Sequence, residues 1–165
     1  MTLNNNLILT VFFHALLSSS SFIAQAQNPD VYKKISQIEA YDKYEIMVVD
    51  KLSLKQLSDS SNTFLELISY LRNSKKNYSG KTEEKLKNET GEYFRTYYFD
   101  EEGKIFVLIE RIQSPGKPLK KFTYFYETGD LKLVVDENNV DVTSTIDREK
   151  HFHWLRRMFD VYTLK

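Results

Sequence analysis

Cysteine is absent from this 165-residue chain, and its absence excludes several kinds of protein. There can be no disulfide, no thiol nucleophile and no lipid-modified cysteine of the kind that anchors lipoproteins. A domain in this chain must therefore be stabilised by its core alone. A chain of this length can provide such a core, since a domain of this size buries roughly two-thirds of its unfolded surface.

An excess of positive charge is also missing, since 23 Lys and Arg residues balance 23 Asp and Glu residues. A nucleic-acid-binding protein needs surplus positive charge to displace counterions from phosphates. The balanced composition therefore predicts no nucleic-acid partner.

The N-terminal region has an apolar run that is too short to span a bilayer, LILTVFFHALL at Leu7 to Leu17. Small polar residues follow it, and AQA at Ala24 to Ala26 has the small-x-small pattern of a signal-peptidase site. The segment before the run has no Lys or Arg, so an N-terminal anchor or a buried helix are alternatives. We interpret residues 1–26 as a signal peptide and residues 27–165 as one α+β domain. The protein is then exported, periplasmic or extracellular, with no stable membrane anchor after cleavage.

The first segments of that domain predict helices. Asn28 can cap a helix that starts at Pro29, and Val31, Ile35 and Ile38 share one face. The β-branched stretch Tyr44 to Asp50 fits either a strand or a buried helix segment.

A second helix is predicted through LSLKQLSDSSNTFLELISYLRN, where Ser53 and Gln56 suggest a capping box. Its apolar residues recur at helical spacing, and the polar cluster Ser58 to Asn62 is a candidate break. The next segment, Asn73 to Gly91, has almost no apolar residues and is predicted to be a flexible, solvated loop. The helical-spacing residues are Leu54, Leu57, Phe64, Leu65, Ile68 and Leu71.

Two similar stretches follow, YYFDEEGKIF from Tyr97 and YFYETGDLKL from Tyr124. Their glycines, Gly103 and Gly129, are 26 positions apart, and each suits the left-handed position of a three-residue hairpin loop. Two such hairpins predict a four-stranded antiparallel meander. With two or three helices packed on it, the fold class is α+β.

Alternation along these strands sorts the side chains into an aliphatic face and a ring-rich face. Either helices cover the ring-rich face as a second core layer, or its rings form an exposed platform for a ligand or protein. We take the rings as a candidate binding surface, formed by Phe94, Tyr98, Phe106, Phe122, Tyr124 and Tyr126.

A third helix is predicted from Thr145 to Tyr162. It contains His151 and His153, which diverge by about 200° on a helix and so do not form a metal-binding pair. Most carboxylates that stand out lie at turns, where they favour solubility and turn geometry. The sequence therefore assigns no catalytic, cofactor-binding or metal-binding residue, and it predicts no cofactor. These turn carboxylates are Asp100, Glu101, Glu102, Asp136 and Glu137.

The doubled hairpin resembles those of small exported bacterial proteins of unknown function, in which Tyr-rich strands end in Gly-Lys-aliphatic. The resemblance covers about a third of the chain. It implies an envelope or secreted setting and an α+β domain, and it carries over no site residue.

These observations favour an exported, non-catalytic binding or envelope-accessory protein that uses an aromatic sheet face or the groove between sheet and helix. Its partner is an unknown protein or small ligand. One alternative is a small hydrolase whose carboxylates meet only in the fold, in a cleft where at least one carboxyl pKa is raised. Another is a structural component of an exported complex.

Overall fold

A computed structural model describes residues 29–58, 61–73, 78–149, 151–152 and 155. Its strands form one antiparallel sheet in which each strand pairs with the next in sequence, in the order β1-β2-β3-β4-β5-β6-β7. The strands are β1 Glu45–Val48, β2 Thr63–Asn73, β3 Tyr78–Asn88, β4 Gly91–Phe99, β5 Ile105–Gln113, β6 Lys120–Glu127 and β7 Asp130–Val135. Helix α1 (Pro29–Glu39) precedes β1, helix α2 (Lys51–Leu57) precedes β2, and a 3-10 turn (Thr143–Thr145) follows β7. The described residues of 148–155 are helical.

The predicted four-stranded meander with two or three helices is wrong. The described chain is mostly β, with a seven-stranded sheet and two short helices, α1 and α2. The four predicted strands correspond to β4 through β7. The additional strands come from the segment whose state the sequence left open (β1), from the predicted second helix (β2) and from the predicted loop (β3).

Strand β2 lies where the second helix was predicted. That helix was predicted from the spacing of residues that include Phe64 and Leu65, but these two do not share a buried face, since Phe64 is buried and Leu65 is exposed. The buried residues of β2 are Phe64, Leu67 and Ser69. Leu67 and Ser69 alternate as in a strand, and the three-residue step from Phe64 to Leu67 follows from a register shift between Phe64 and Glu66, which is a β-bulge or a similar irregularity. Helix α2 is real but short, and its N-cap is Asp50, whose side chain accepts hydrogen bonds from the N–H groups of Leu52 and Ser53.

Strand β3 lies in the segment predicted to be a solvated loop. It has few apolar residues, yet Thr82, Glu84 and Leu86 alternate on one face and are all buried. The buried hydroxyl of Thr82 is 3.2 Å from that of Ser69 on β2, within hydrogen-bond distance. A strand with neighbours on both sides can bury polar side chains in this way, because the adjacent strands supply the partners.

Helix α1 is confirmed over Pro29–Glu39. Ile38 is buried, and Val31 and Ile35 pack against the same cluster, as their spacing predicted. The predicted cap, Asn28, lies outside the described residues.

The two similar hairpins have different turns. In the first hairpin, the Asp100 N–H donates to the Lys104 carbonyl and the Gly103 N–H donates to the Asp100 carbonyl, so the loop consists of Glu101, Glu102 and Gly103, with Gly103 at φ 77°. The predicted three-residue turn is therefore confirmed there. In the second hairpin, β6 and β7 are joined by Thr128 (φ 51°) and Gly129 (φ 90°) alone, which is typical of a two-residue type I′ turn, so the prediction is wrong for that hairpin.

Both faces of the sheet carry a hydrophobic cluster. The α1-side cluster joins α1 to the sheet and contains Ile38, Tyr98, Val107, Phe125 and Val135. The α2-side cluster lies on the opposite face. Its buried members are Leu54, Phe64, Leu67, Tyr97, Phe99, Ile105, Leu108, Tyr124, Tyr126, Leu131, Val134 and Leu155.

Candidate functional site

A cleft of about 310 Å³ lies between α1 and the hairpin that joins β4 to β5. It combines apolar side chains with side chains of both charges. Its volume is at the low end of the range for small-molecule sites, which is roughly 300 to 1,000 Å³. The lining residues are Lys34, Gln37, Ile38, Arg72, Phe99, Asp100, Glu101, Glu102 and Phe106.

Helix α1 supplies one wall of the cleft through Lys34, Gln37 and Ile38. These residues are three and four positions apart, so they lie on one side of the helix. Ile38 is buried against the sheet. Because Ile38 fixes the rotation of the helix, Lys34 and Gln37 are held at the edge of the cleft.

The C-terminal end of α1 is held to the sheet by Glu39. The Tyr98 hydroxyl donates to Glu39 Oε1 at 2.8 Å, and Lys81 Nζ donates to Glu39 Oε2 at 3.0 Å. Burial alone would raise the pKa of Glu39, but these hydrogen bonds outweigh it and lower that pKa. Burial, followed by the hydrogen bond to Glu39, raises the pKa of Tyr98, so the tyrosine stays neutral and acts as the donor.

The hairpin tip supplies the acidic side of the cleft. Asp100 Oδ1 accepts hydrogen bonds from the N–H groups of Glu102 and Lys104, both at 2.9 Å, so this carboxylate is used by the turn. Glu102 pairs with Lys104 Nζ at 2.6 Å. Glu101 is exposed, and among the described residues it makes no hydrogen bond or ion pair. The Glu101 carboxylate is therefore the acid of the tip that is free to meet a ligand.

Two cations line the same cleft. Lys34 Nζ lies 6.0 Å from the ring centroid of Phe106, and the Arg72 guanidinium lies 5.1 Å from that of Tyr41. Neither forms an ion pair with a carboxylate of the described residues. The Nε of Arg72 is buried and has no hydrogen-bond partner there. Both cations are thus placed against aromatic rings, and within the part of the chain that the structure describes neither charge is compensated by a carboxylate.

The α2-side face contains a second polar arrangement, a buried ionic cluster of Glu84, Arg95 and Glu110. Arg95 Nε donates to Glu110 Oε1 at 2.6 Å, and Arg95 Nη1 lies 3.5 Å from Glu84 Oε1. Two tyrosine hydroxyls complete it, Tyr97 donating to Glu84 Oε2 at 2.7 Å and Tyr124 to Glu110 Oε2 at 2.9 Å. Burial raises the pKa of Glu84, although Arg95 acts in the opposite direction.

His151 covers the edge of this cluster. Its ring stacks on Tyr124, with centroids 4.8 Å apart and planes 7° apart, and its Nε2 is hydrogen-bonded to the Tyr126 hydroxyl at 2.5 Å. Burial lowers the pKa of His151 to about 4. The ring is therefore neutral at neutral pH.

The buried ionic cluster contains two carboxylates and a raised pKa, which are features expected of the hydrolase alternative. However, the Glu84 side chain has no exposed surface and that of Glu110 is 8% exposed. A substrate could not reach either carboxylate without displacing the core. We therefore interpret this cluster as part of the fold.

Sequence reasoning missed all three charged members of this cluster. Glu84 lies in the segment predicted to be a loop, and Arg95 and Glu110 were not singled out. The signal that could have found them is alternation, because each occupies an inward position of its strand between apolar neighbours such as Leu86, Tyr97 and Leu108.

The six rings of the candidate binding surface do not share a face. Tyr98 and Phe106 pack in the α1-side cluster, whereas Phe122, Tyr124 and Tyr126 pack in the α2-side cluster. The cause is the register shift of the first hairpin, between Tyr98 and Phe99, after which Tyr98 pairs with Val107 and Tyr97 pairs with Leu108. Strand β6 then places Tyr124 opposite Leu108, so Tyr124 shares a face with Tyr97 and not with Tyr98.

These rings are also largely covered. Tyr98, Tyr124 and Tyr126 are 5%, 6% and 8% exposed, and the three phenylalanines are partly buried. Phe94 lies 5.0 Å from Lys85 Nζ, in a cation–π contact. Of the six rings, only Phe106 lines the cleft.

Metal-binding geometry is not found in the described part of the chain, where no three His, Asp or Glu side chains group as metal ligands would. His153 lies outside the described residues. None of the helices described is long and apolar enough to cross a membrane.

Comparison with protein families, curated proteins and solved structures finds no match to this chain. The cleft and the buried ionic cluster are therefore the two features of the described chain from which a function can be inferred.

Proposed function

We propose that the protein is an exported, non-catalytic binding protein that takes a small ligand in the cleft between α1 and the β4–β5 hairpin. The observation that carries this proposal is the composition of the cleft. It joins the half-buried ring of Phe106 to the uncompensated charges of Lys34, Arg72 and Glu101. An apolar pocket with a few polar groups that fix orientation is the usual form of a small-molecule site.

The rigidity of the walls supports binding rather than catalysis. Helix α1 is held by the buried Ile38 and by the Tyr98–Glu39 hydrogen bond, and the hairpin tip is held by the Asp100 hydrogen bonds. Preformed walls lower the entropic cost of binding. The described residues that line the cleft include no Ser, Thr, Cys or His, so the hydroxyl–histidine and thiol–histidine pairs of many hydrolases are not found among them.

Export is the second part of the proposal. It depends on the apolar run Leu7 to Leu17 and the AQA site ending at Ala26. Expression in a bacterial host with fractionation and intact-mass measurement tests it. We expect a secreted or periplasmic product that starts at Gln27. A full-length product that remains with the cells would contradict export without bearing on the cleft.

Binding is tested by NMR on the mature chain with a library of neutral and charged aromatic and aliphatic fragments. We expect backbone amide shifts at Lys34, Gln37 and Phe106, and their loss in Phe106→Ala. The matched control is Leu119→Ala, which removes an exposed apolar side chain outside the cleft. If no fragment shifts these amides, or if both variants respond alike, the cleft is not a binding site.

A further inference from the structure

We infer that the ligand of the cleft is a small zwitterion with an apolar side group, of the chemistry shared by free amino acids and very short peptides. This inference rests on the proposed function, because it names the ligand class of the same cleft. It follows from the kinds of charge at the cleft and from the partners that each charge already has.

The cationic side recognises a carboxylate. The donors of Arg72 are not used by any carboxylate of the described residues, and its Nε has no partner among them although it is buried. Guanidinium groups match carboxylates in bidentate geometry. Lys34, which also lines the cleft, adds a second positive charge.

The acidic side recognises an ammonium group. Asp100 and Glu102 are engaged within the turn, but Glu101 is not engaged by any described residue. An anionic ligand without an ammonium group would meet Glu101 at a cost, since like charges repel at close range. A purely cationic ligand would meet Lys34 and Arg72 at a similar cost. A zwitterion satisfies both sides of the cleft.

The apolar part of the ligand is received by Phe106 and Ile38. Phe106 is half-buried, with its ring centroid 6.4 Å from that of Tyr98, so it is held in place by the sheet. The volume of about 310 Å³ suits one amino-acid-sized group with a side chain rather than a long peptide.

Four ligands test the inference by NMR titration of the mature chain. L-phenylalanine carries both charges, L-phenylalaninamide lacks the carboxylate, N-acetyl-L-phenylalanine lacks the ammonium group, and glycine lacks the apolar side group. We expect L-phenylalanine to shift the amides of Lys34, Gln37 and Phe106. The other three should bind about tenfold more weakly or worse, since each loses one charge-assisted or apolar contact.

Variants assign each charge to its residue. Arg72→Gln should weaken L-phenylalanine binding about tenfold but should not weaken L-phenylalaninamide, which has no carboxylate for Arg72 to bind, and Glu101→Gln should weaken L-phenylalaninamide further. The matched controls are Lys33→Gln, next to Lys34 on α1 but outside the cleft, and Glu137→Gln, in the turn after β7. Both controls should bind L-phenylalanine as the parent does.

The outcomes separate the two proposals. If the amide and acetyl derivatives bind as well as L-phenylalanine, or if uncharged fragments bind in the cleft and L-phenylalanine does not, the zwitterion inference is overturned while the cleft remains a binding site. If no compound shifts the cleft amides, both proposals fail. A parallel titration with L-phenylalanyl-L-phenylalanine identifies the source, since tighter binding of the dipeptide indicates peptides and weaker binding indicates free amino acids.

Discussion

Arg95 and Glu110 face each other across β4 and β5, and their Nε–Oε1 hydrogen bond of 2.6 Å is sealed in the core of the sheet. Glu84 on β3 and the hydroxyls of Tyr97 and Tyr124 enclose the pair. Removing two charges from water is costly, and only close geometry with further hydrogen bonds offsets that cost. The buried charges therefore favour the correct alignment of β3, β4 and β5, because any other alignment would leave them buried without their partners.

The first prediction concerns the loss of the shared cation. Arg95→Leu should lower the free energy of unfolding by about 3–5 kcal/mol, because it leaves two buried carboxylates without their counter-charge. Urea unfolding measures this. The matched control is Arg111→Leu, an exposed arginine on β5, which should change stability by less than about 0.5 kcal/mol. Adding Glu84→Gln and Glu110→Gln to Arg95→Leu should recover part of the loss. Equal effects of Arg95→Leu and Arg111→Leu would contradict the structural role of the cluster.

The second prediction concerns acid. The pKa of His151 falls from its ordinary value of 6.5 to about 4 in the folded protein, because burial disfavours the charged ring. Between these values the unfolded chain binds a proton that the folded chain does not. The stability contributed by His151 is therefore fully present above about pH 6.5 and is lost as the pH falls towards 4. The loss should be on the order of 1–2 kcal/mol, less than the full linkage value because the ring is partly exposed.

His151→Phe isolates this effect from other titrating groups. Phenylalanine can keep the stack on Tyr124 but cannot bind a proton. Glu84 has the opposite effect on stability, because its raised pKa makes the folded state bind a proton more readily than the unfolded chain as the pH falls. This effect is the same in the parent and in the variant. Urea unfolding at several pH values should show a shallower fall for the variant. Parallel curves for the two proteins would show that His151 does not titrate as proposed.

The third prediction compares two turns that the sequence does not mark as alike. Asp100 and Asp136 each accept two backbone N–H groups, two and four residues ahead, and the third residue after each, Gly103 or Asn139, has positive φ. Replacing either Gly103 or Asn139 with Ala should cost about 1 kcal/mol, because L residues with a Cβ are strained there. Asn139→Gly should cost less than about 0.5 kcal/mol. Glu137→Ala, a turn residue without positive φ, is the control. Thermal unfolding measures these costs. If Glu137→Ala costs as much as Gly103→Ala and Asn139→Ala, positive φ is not what makes the two turns alike.

The fourth prediction concerns Gly80 on β3, which lies against Tyr44. A Cβ on Gly80 would lie 2.6 Å from the Tyr44 hydroxyl oxygen, and that hydroxyl donates to the carbonyl of Ile38 at 2.9 Å. Gly80→Ala should therefore cost about 1–3 kcal/mol through overpacking. In a double-mutant cycle with Tyr44→Ala, the cost of the double variant should be smaller than the sum of the two single costs by at least about 1 kcal/mol. Strict additivity would mean that the two residues do not constrain each other.

Local patterns identified some elements correctly and failed where pairing altered the pattern. Helix α1 follows from Pro29 and from the spacing of Val31, Ile35 and Ile38, which nothing in the sheet disturbs. Strand β2 was mistaken for a helix because Phe64, Leu65 and Ile68 recur at helical spacing, although of these three only Phe64 is buried. Strand β3 was mistaken for a loop because it has few apolar residues and some of its charged residues find their partners on other elements, as Lys85 does with Glu92 on β4 and Lys81 with Glu39 on α1.

The same reason limited prediction of the candidate site. Phe106 was named as a ring of a binding surface, and it does line the cleft. Arg72 was not named, since its place in the same cleft as Lys34 depends on how α1 lies on the sheet. The rings named with Phe106 were divided between two faces by the register shift of the first hairpin, which no local pattern reveals.

By itself, the sequence determined the features that depend on short-range chemistry: the absence of disulfides, the start of α1, the positive φ at Gly103 and the four strands of the doubled hairpin. The tertiary structure alone decided which strands join them, which rings share a face, and which charges are buried together or left uncompensated in a cleft. The physical reason is that strand pairing and burial are relations between distant residues. For example, Glu84, Arg95 and Glu110 form a cluster only because the pairing of β3, β4 and β5 places them side by side.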